Sequence, residues 1–286
     1  MRRILAAAAL FLALAAHPAF AGGLDGFKGL SGEIRVAGSE AGFAAFREAA
    51  DRVMAAYPGV KITFTLNGAG MGLARLRMGQ ADLSLYDRAP GLASKGGEPL
   101  EFIPFGVDPV AVVLSPANPA RELTVEQVRG LFSGTIANWK QAGGGDYLVV
   151  PIYIEASEEI GKPETRPGTV SVSSQPAMRF NLMRFKQAIA FSSVRDLDGA
   201  LKPAVLDGQA PTMEAFKAGR YRVYRILHAA ARKSRTALVQ AFLDYMTGPE
   251  GQALMEKTGY LPLASKPDFQ SQLPVDIPDE LVKRTD

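Results

Sequence analysis

The chain has 286 residues, enough for one large domain or two ordinary ones, and its 47% hydrophobic and 21% charged residues are typical of a globular protein. It contains no cysteine, which excludes disulfide scaffolds, thiol catalysis and lipid attachment at a cysteine. The net charge of +3 gives no strong field for nucleic acid. Two histidines, His17 and His228, cannot build a His-rich metal site, so we expect no metal and no cofactor.

The first 21 residues have the pattern of a secretory signal peptide. Two arginines precede an apolar run from Ile4 to Ala16, and residues 19–21 (Ala-Phe-Ala) supply the small-x-small pattern of a cleavage site. The run is too short to span about 30 Å of hydrocarbon as a helix. Cleavage after Ala21 leaves 30 basic and 29 acidic residues. We therefore expect an exported, unlipidated protein of the periplasm.

Strands and helices alternate along the mature chain. In order, we predict a strand at 33–37, a helix from about 41, a strand at 61–66, a glycine-rich turn at 67–72 with a short helix to 78, and strands at 81–85, 107–114 and 147–154. A capping box opens a helix at 124–131, Thr212 caps a short helix, and an amphipathic helix covers 235–246. This alternation predicts an α/β fold with a mostly parallel sheet.

Two segments interrupt this pattern. Residues 155–176 are polar and contain several prolines and glycines, which predicts a long mobile loop. Residues 264–286 contain three prolines and little periodicity, which predicts an extended surface tail.

Catalytic patterns are weak in this sequence. His228 is the only imidazole of the mature chain, it lies in a strand-like run, and no Gly-x-Ser-x-Gly motif accompanies it. The turn at 67–72 matches neither a Walker loop nor G-x-G-x-x-G. Glu158 and Glu159 are adjacent in the predicted loop and are typical of a solvated pair. We therefore do not expect an enzyme.

Two strand–turn–helix junctions favour binding of a small ligand. One contains Gly38 and Ser39, and the other runs from Asn67 to Gly72. Free backbone N–H groups and the positive end of the helix dipole converge at such junctions. In open α/β sheets these junctions lie at the carboxyl ends of strands, where ligands bind.

Several stretches carry a family resemblance through their order and spacing. They are 34–39 (IRVAGS), 57–61 (YPGVK), 79–83 (GQADL), 123–140 (LTVEQVRGLFSGTIANWK), 207–212 (DGQAPT), 248–252 (GPEGQ) and 259–263 (GYLPL). On these stretches the chain resembles the PstS-type phosphate-binding family of periplasmic solute-binding proteins. The resemblance implies a two-lobed type II binding-protein fold with a ligand cleft between the lobes. It also implies lobe one at 22–107 plus 229–286, lobe two at 108–228, and crossing segments near 106–111 and 222–229.

The resemblance also implies a set of ligand-binding residues. They are Gly38, Ser39, Glu40, Asn67, Gly68, Ala69, Gly70, Asp87, Arg88, Tyr153 and Glu155. Ser39 matches the hydroxyl of the family's first loop. Asp87 would accept a proton from a monohydrogen oxyanion, and Arg88 would donate a charge-assisted hydrogen bond.

The second half departs from the family pattern. Ile154 stands where phosphate binders have an arginine after their Val-Pro-Val strand, and residues 155–160 replace a turn rich in glycine, serine and threonine. Each lost charge-assisted bond weakens anion binding about tenfold or more, which predicts weak phosphate capture. A larger, neutral or cationic ligand beside Tyr153 and Glu155 is one alternative, and restoration of the charge by Arg166, Arg179 or Arg184 is another.

Three hypotheses on function follow. The first is a receptor that captures a small molecule or oxyanion, phosphate included, and feeds an ABC transporter permease. The second is a repurposed binding-protein fold that acts as a sensor or docks on another exported protein. The third, and least favoured, is a metal-dependent hydrolase with carboxylate ligands.

Overall fold

The computed structural model describes residues 23–88, 90, 99–154 and 168–273. The predicted signal peptide, Glu155, the Glu158–Glu159 pair and Arg166 lie outside these ranges. Within these ranges, no helix has the length and apolar character needed to cross a membrane.

The strands are β1 (Gly32–Gly38), β2 (Val60–Leu66), β3 (Leu83–Tyr86), β4 (Leu100–Leu114), β5 (Glu122–Leu123), β6 (Val150–Ile154), β7 (Val170–Val172), β8 (Ala188–Ser193), β9 (Lys202–Pro203), β10 (Val205–Leu206) and β11 (Tyr224–Arg232). The α-helices are α1 (Phe43–Ala56), α2 (Ala69–Arg77), α3 (Val125–Ser133), α4 (Gln175–Arg184), α5 (Met213–Lys217), α6 (Ala237–Thr247) and α7 (Pro249–Lys257).

The main sheet is mixed rather than mostly parallel. Its order is β2-β1-β3-β11-β4-β8-β6-β7, with β9 beside β4. The β2-β1-β3 and β8-β6-β7 ends are parallel, whereas β11 pairs antiparallel with both β3 and β4, and β4 pairs antiparallel with β8. The prediction of a mostly parallel sheet is therefore wrong in the middle, because β4 and β11 run in opposite directions side by side.

Each end of the sheet has its own hydrophobic core. Around β1, β2 and β3, one core includes Phe46 of α1 and Phe242 of α6, and a smaller one includes Leu73 of α2 on the other face. Around β6 and β8, the chain packs Trp139 on one face and Met178 of α4 on the other. We call these two parts lobe 1 and lobe 2. Their boundaries at 107/108 and 228/229 stay a prediction.

β4 is almost twice as long as the predicted strand at 107–114. Residues 100–109 pair with β11 and residues 110–114 pair with β8, so one strand runs through both lobes. Pro104 lies opposite His228, and the register shifts between Leu227 and His228. Because proline cannot donate to a ladder, Pro104 disfavours a strand over the first half of β4, and the sequence predicts only the second half.

The predicted loop at 155–176 is wrong over its described part. Residues 170–172 form β7 beside β6, and α4 begins at Gln175 with the Ser174 hydroxyl accepting the Ala177 N–H. α4 has no single apolar face, since Met178 and Leu182 are buried while Phe180 and Met183 are exposed. This distribution hides the helical period in the sequence.

Three further features differ from the predictions: the start of β6, the burial of Leu273 and the start of α2. β6 begins at Val150 rather than at residue 147, because the chain bends at residues 146–147 and Leu148 forms only an isolated bridge with Asn138. Leu273, in the predicted surface tail, is buried in the core of lobe 2, and the rest of that tail from residue 274 lies outside the described residues. α2 begins at Ala69, inside the predicted glycine turn.

Gly72 in α2 shows why that turn contains glycines. A Cβ at this position would lie 2.4 Å from both Gly38 Cα and Ser84 Oγ. Alanine is usually more stable than glycine in a helix by about 1 kcal/mol. Here the added methyl group overpacks the site, so we expect alanine to be destabilising instead. Gly72→Ala should lower the free energy of unfolding by about 1–3 kcal/mol in urea denaturation. Gly26→Ala, with open space around its Cβ, is the control and should change stability by less than about 0.5 kcal/mol; a more stable Gly72→Ala variant would contradict this packing.

Candidate ligand-binding site

A small cavity lies between the two lobes. Its volume is about 80 Å³, room for several water-sized groups at about 10–15 Å³ each. Its walls come from the ends of β1, β2, β3 and β6, the start of α2 and α4, and β8 and β11. The carboxyl ends of parallel strands therefore meet here, as the sequence predicts for a ligand site.

The turn after β1 approaches β3 closely. Gly38 has a φ of +113°, and a Cβ there would lie 2.3 Å from the Leu85 carbonyl oxygen, so only glycine fits. The Ser39 N–H donates to that carbonyl (2.9 Å), and the Ser39 hydroxyl accepts the Ala41 N–H (3.1 Å). Ser39 and Glu40 line the cavity.

The second predicted junction contributes the start of α2. Gly68 and Ala69 line the cavity, and α2 has no side-chain cap at Gly68. A helix start without a cap offers backbone N–H groups and the positive end of its dipole. Asn67 instead donates its N–H to the Gly38 carbonyl (3.1 Å), which ties the two junctions together. Gly38, Asn67 and Gly70 support the wall of the cavity but do not line it.

Arg225 of β11 places a buried charge at this site. Its guanidinium contacts Asp87 Oδ2 (2.8 Å) and Asp108 Oδ2 (2.8 Å), and Asp108 also accepts a hydrogen bond from the Ser193 hydroxyl. The Asp108 side chain is completely buried. Burial opposes the charged form of Arg225, but the charges of Asp108 and Asp87 outweigh it and raise its pKa above the ordinary value. Asp87 therefore lines the cavity as one end of a chain of ion pairs that continues through Arg225 to Asp108.

Arg88 reaches across the cleft to lobe 2. Its Nη2 donates to the Ile154 carbonyl oxygen (3.1 Å). Ile152, Tyr153 and Ile154 line the cavity from the opposite side. Tyr153 is part of an aromatic wall with Phe132 and Phe191, in which the last two rings stack 4.5 Å apart. Lobe 2 thus presents an apolar and aromatic surface at the position of the missing arginine.

A larger cavity of about 520 Å³ adjoins the first. The two share Glu40, Gln175 and Arg225 among their lining residues. Arg179 lines this second cavity but is paired with Asp198 (2.5 Å). Its charge is therefore neutralised within lobe 2.

Two other candidates lie away from the cavity. Arg184 is at the end of α4, 6.0 Å from the ring centroid of Phe180. His228 packs edge-on against Phe102, and burial lowers its pKa, so it is neutral at pH 7. Within the described ranges, no group of three or more histidine, aspartate or glutamate side chains has the arrangement of a metal site.

The structure brings most of the predicted site together. Ser39, Glu40, Gly68, Ala69, Asp87, Arg88 and Tyr153 all line the cavity. Sequence reasoning missed Arg225, Gln175 and Phe191. The signal for Arg225 in the sequence is a cation inside the mostly apolar run that forms β11.

This architecture is the two-lobed type II periplasmic-binding-protein fold, with its ligand cleft between the lobes. The model of a PBP superfamily domain matches residues 28–250. The chain belongs to this superfamily, and within it to the PstS-like periplasmic binding proteins.

Relatives and solved structures agree with this assignment. The phosphate-binding protein PstS of Bacillus subtilis is 23% identical over 248 residues, which cover 82% of this chain and 81% of the relative. PstS of Pseudomonas aeruginosa is 24% identical over 278 residues, covering 83% and 85%. A putative phosphate ABC transporter substrate-binding protein from Clostridium perfringens, with bound phosphate, has a TM-score of 0.68 at 21% identity and 81% and 100% coverage. An ABC-type phosphate transport receptor from Vibrio cholerae has a TM-score of 0.63 at 23% identity, with the same coverage.

Proposed function

We propose that the protein is an exported receptor that captures a small oxyanion of the phosphate class in the interlobe cleft and delivers it to an ABC importer. The observation that carries this proposal is the small cavity where the Ser39 hydroxyl, the uncapped start of α2 and the Arg88 guanidinium meet. These groups are the hydrogen-bond donors that an oxyanion requires. The proposed activity is binding and release without chemistry.

Export and partner are parts of the same proposal. The signal-peptide pattern at residues 1–21 supports a periplasmic location. The relatives are named phosphate-binding proteins, and two similar structures are described as components of phosphate ABC transport. We therefore propose the permease of an ABC importer as the partner.

The affinity for phosphate should be moderate. Ile154 offers lobe 2 no guanidinium, and each missing charge-assisted bond weakens binding about tenfold or more. Titration calorimetry of ligand-stripped residues 22–286 with phosphate at pH 7 should give a saturable heat, and phosphate should raise the melting temperature. No heat, together with an unchanged melting temperature in millimolar phosphate, would exclude phosphate as the ligand.

A further inference from the structure

The stretch 259–263 (GYLPL) lies where the two lobes meet. Leu261 pairs with Val107 of β4, and each N–H donates to the carbonyl oxygen of the other residue at 2.9 Å. From Val110 onwards, β4 pairs with β8 of lobe 2. The backbone beside Tyr260 is therefore bonded to the strand that runs through both lobes.

The hydroxyl of Tyr260 accepts a hydrogen bond from each lobe. Its donors are the Gly42 N–H of lobe 1 (2.9 Å) and Nη1 of Arg195 in lobe 2 (2.9 Å). The Tyr260 side chain is buried, and burial raises its pKa, so the hydroxyl is neutral at pH 7. The two donors occupy both lone pairs of its oxygen. One buried oxygen atom thus connects the two lobes.

The ring of Tyr260 also holds Arg195. The guanidinium carbon lies 4.7 Å from the ring centroid, which is cation–π geometry. Gly259 has a φ of +85°, and a Cβ there would lie 3.2 Å from the Arg195 Cβ, so glycine leaves room for this approach. The ion pair of Arg195 with Asp196 is longer, at 3.9 Å. Tyr260 therefore makes the closer polar contact with this guanidinium.

On the side of lobe 1, Tyr260 holds the turn that carries Ser39. Gly42 ends this turn with a φ of +84° and donates its N–H to the Tyr260 hydroxyl. A Cβ on Gly42 would lie 2.5 Å from Cζ of Phe105, so the turn is confined between a ring and a hydroxyl. The position of Ser39, which lines the small cavity, therefore depends on Tyr260.

We propose that Tyr260 is a positioning residue for ligand capture: its hydroxyl fixes the Ser39 turn of lobe 1 and connects that turn to Arg195 of lobe 2, so that the cleft stays closed around a bound oxyanion. This inference rests on the proposed function. Separation of the lobes has to break the hydrogen bond between Arg195 and Tyr260. A contact of this kind acts after the ligand has entered, so it slows dissociation more than it speeds association.

Tyr260→Phe tests this role because phenylalanine keeps the ring and lacks only the hydroxyl. A hydrogen bond to a charged group is worth about tenfold or more in an equilibrium constant. We expect phosphate to dissociate about tenfold faster or more, with an association rate within about threefold of the unsubstituted protein. Stopped-flow measurement with a fluorophore pair on Met78→Cys of lobe 1 and Leu148→Cys of lobe 2, both exposed positions in a chain without cysteine, gives both rates.

Tyr221→Phe is the matched control. The Tyr221 side chain is also buried, and its hydroxyl donates to the Val110 carbonyl (2.9 Å) within lobe 2. This variant should lose stability in urea denaturation but keep both rates within about twofold. A purely structural role of Tyr260 predicts that Tyr260→Phe and Tyr221→Phe behave alike.

A measurement without ligand separates this inference from the proposed function. Spin labels on the same two cysteine positions report the distance between the lobes. Without phosphate, Tyr260→Phe should shift these distances to longer values, and Tyr221→Phe should not. Arg195→Met breaks the same hydrogen bond from lobe 2 and keeps the buried tyrosine, so it should give the same shift and serves as the test if Tyr260→Phe does not fold.

The outcomes are distinct. If phosphate binds and dissociates from Tyr260→Phe as slowly as from Tyr221→Phe, the positioning role is overturned while the oxyanion function stands. If the unsubstituted protein does not bind phosphate, the oxyanion function fails and the distances decide. Longer distances in Tyr260→Phe or Arg195→Met then support the connection between the lobes, and unchanged distances overturn it.

Discussion

Replacing Arg225 with methionine should lower the free energy of unfolding by about 3–5 kcal/mol at pH 7. The substitution leaves the Asp108 carboxylate completely buried without its cation, and it also removes the partner of Asp87. Removing one partner of a buried ion pair is strongly destabilising, because the remaining charge has neither its counterion nor water around it. Urea denaturation monitored by circular dichroism measures the loss.

The pH dependence of this variant has a definite sign. Burial raises the pKa of Asp108, while Arg225 and Ser193 oppose that rise. Without Arg225 the folded-state pKa rises further above the unfolded value of about 4. A raised pKa gives stability that is present at low pH and is lost as the pH increases through the folded-state value. The deficit of Arg225→Met should therefore shrink as the pH falls from 7 towards about 4.

A double-mutant cycle provides the control. Asp108→Asn removes the stranded charge, so Arg225→Met combined with Asp108→Asn should be more stable than Arg225→Met alone, and the two effects should not add. Arg47→Met, which breaks an exposed pair with Asp51, should change stability by less than about 1 kcal/mol. Additive effects of the Arg225 and Asp108 substitutions would refute the coupling.

Arg88→Met should weaken phosphate binding about ten- to a hundredfold. Arg88 lines the small cavity and spans the cleft to the Ile154 carbonyl, so its loss removes both the proposed charge-assisted bond to the ligand and a contact between the lobes. Titration calorimetry gives the change in Kd. Urea denaturation of the ligand-free variant shows whether the substitution also changes the stability of the fold. Arg47→Met removes an equal charge from the outer surface of lobe 1 and should bind as the unsubstituted protein does. Unchanged phosphate affinity in Arg88→Met would mean that the ligand lies elsewhere in the cleft.

Local signals were sufficient for much of the fold. The capping box of Thr124 and Gln127 forms as predicted, and Thr212 caps α5. The alternation in 61–66 and the apolar run at 107–114 correspond to β2 and the second half of β4. These features depend on contacts between near neighbours in sequence, which composition and periodicity reveal.

The remaining errors involve contacts between distant residues. Arg225 bonds to Asp108 and Asp87 across 117 and 138 positions, and Gln175 bonds to Glu40 across 135. No local pattern encodes such a pairing. The junctions at Ser39 and Gly68 were predictable because a strand, a small residue and a helix follow one another there. The opposite wall of the cleft depends on the tertiary packing of β6, α4 and β8 in lobe 2.

The length of β4 has a consequence for how the protein unfolds. One continuous strand supplies backbone hydrogen bonds to β11 over its first part and to β8 over its second part. Because the two ladders share this strand, we expect the two lobes to unfold as one cooperative unit, with a single calorimetric transition. Neither half should persist alone after proteolytic cleavage or recombinant truncation, and a destabilising substitution anywhere in the molecule reduces the amount of complete protein.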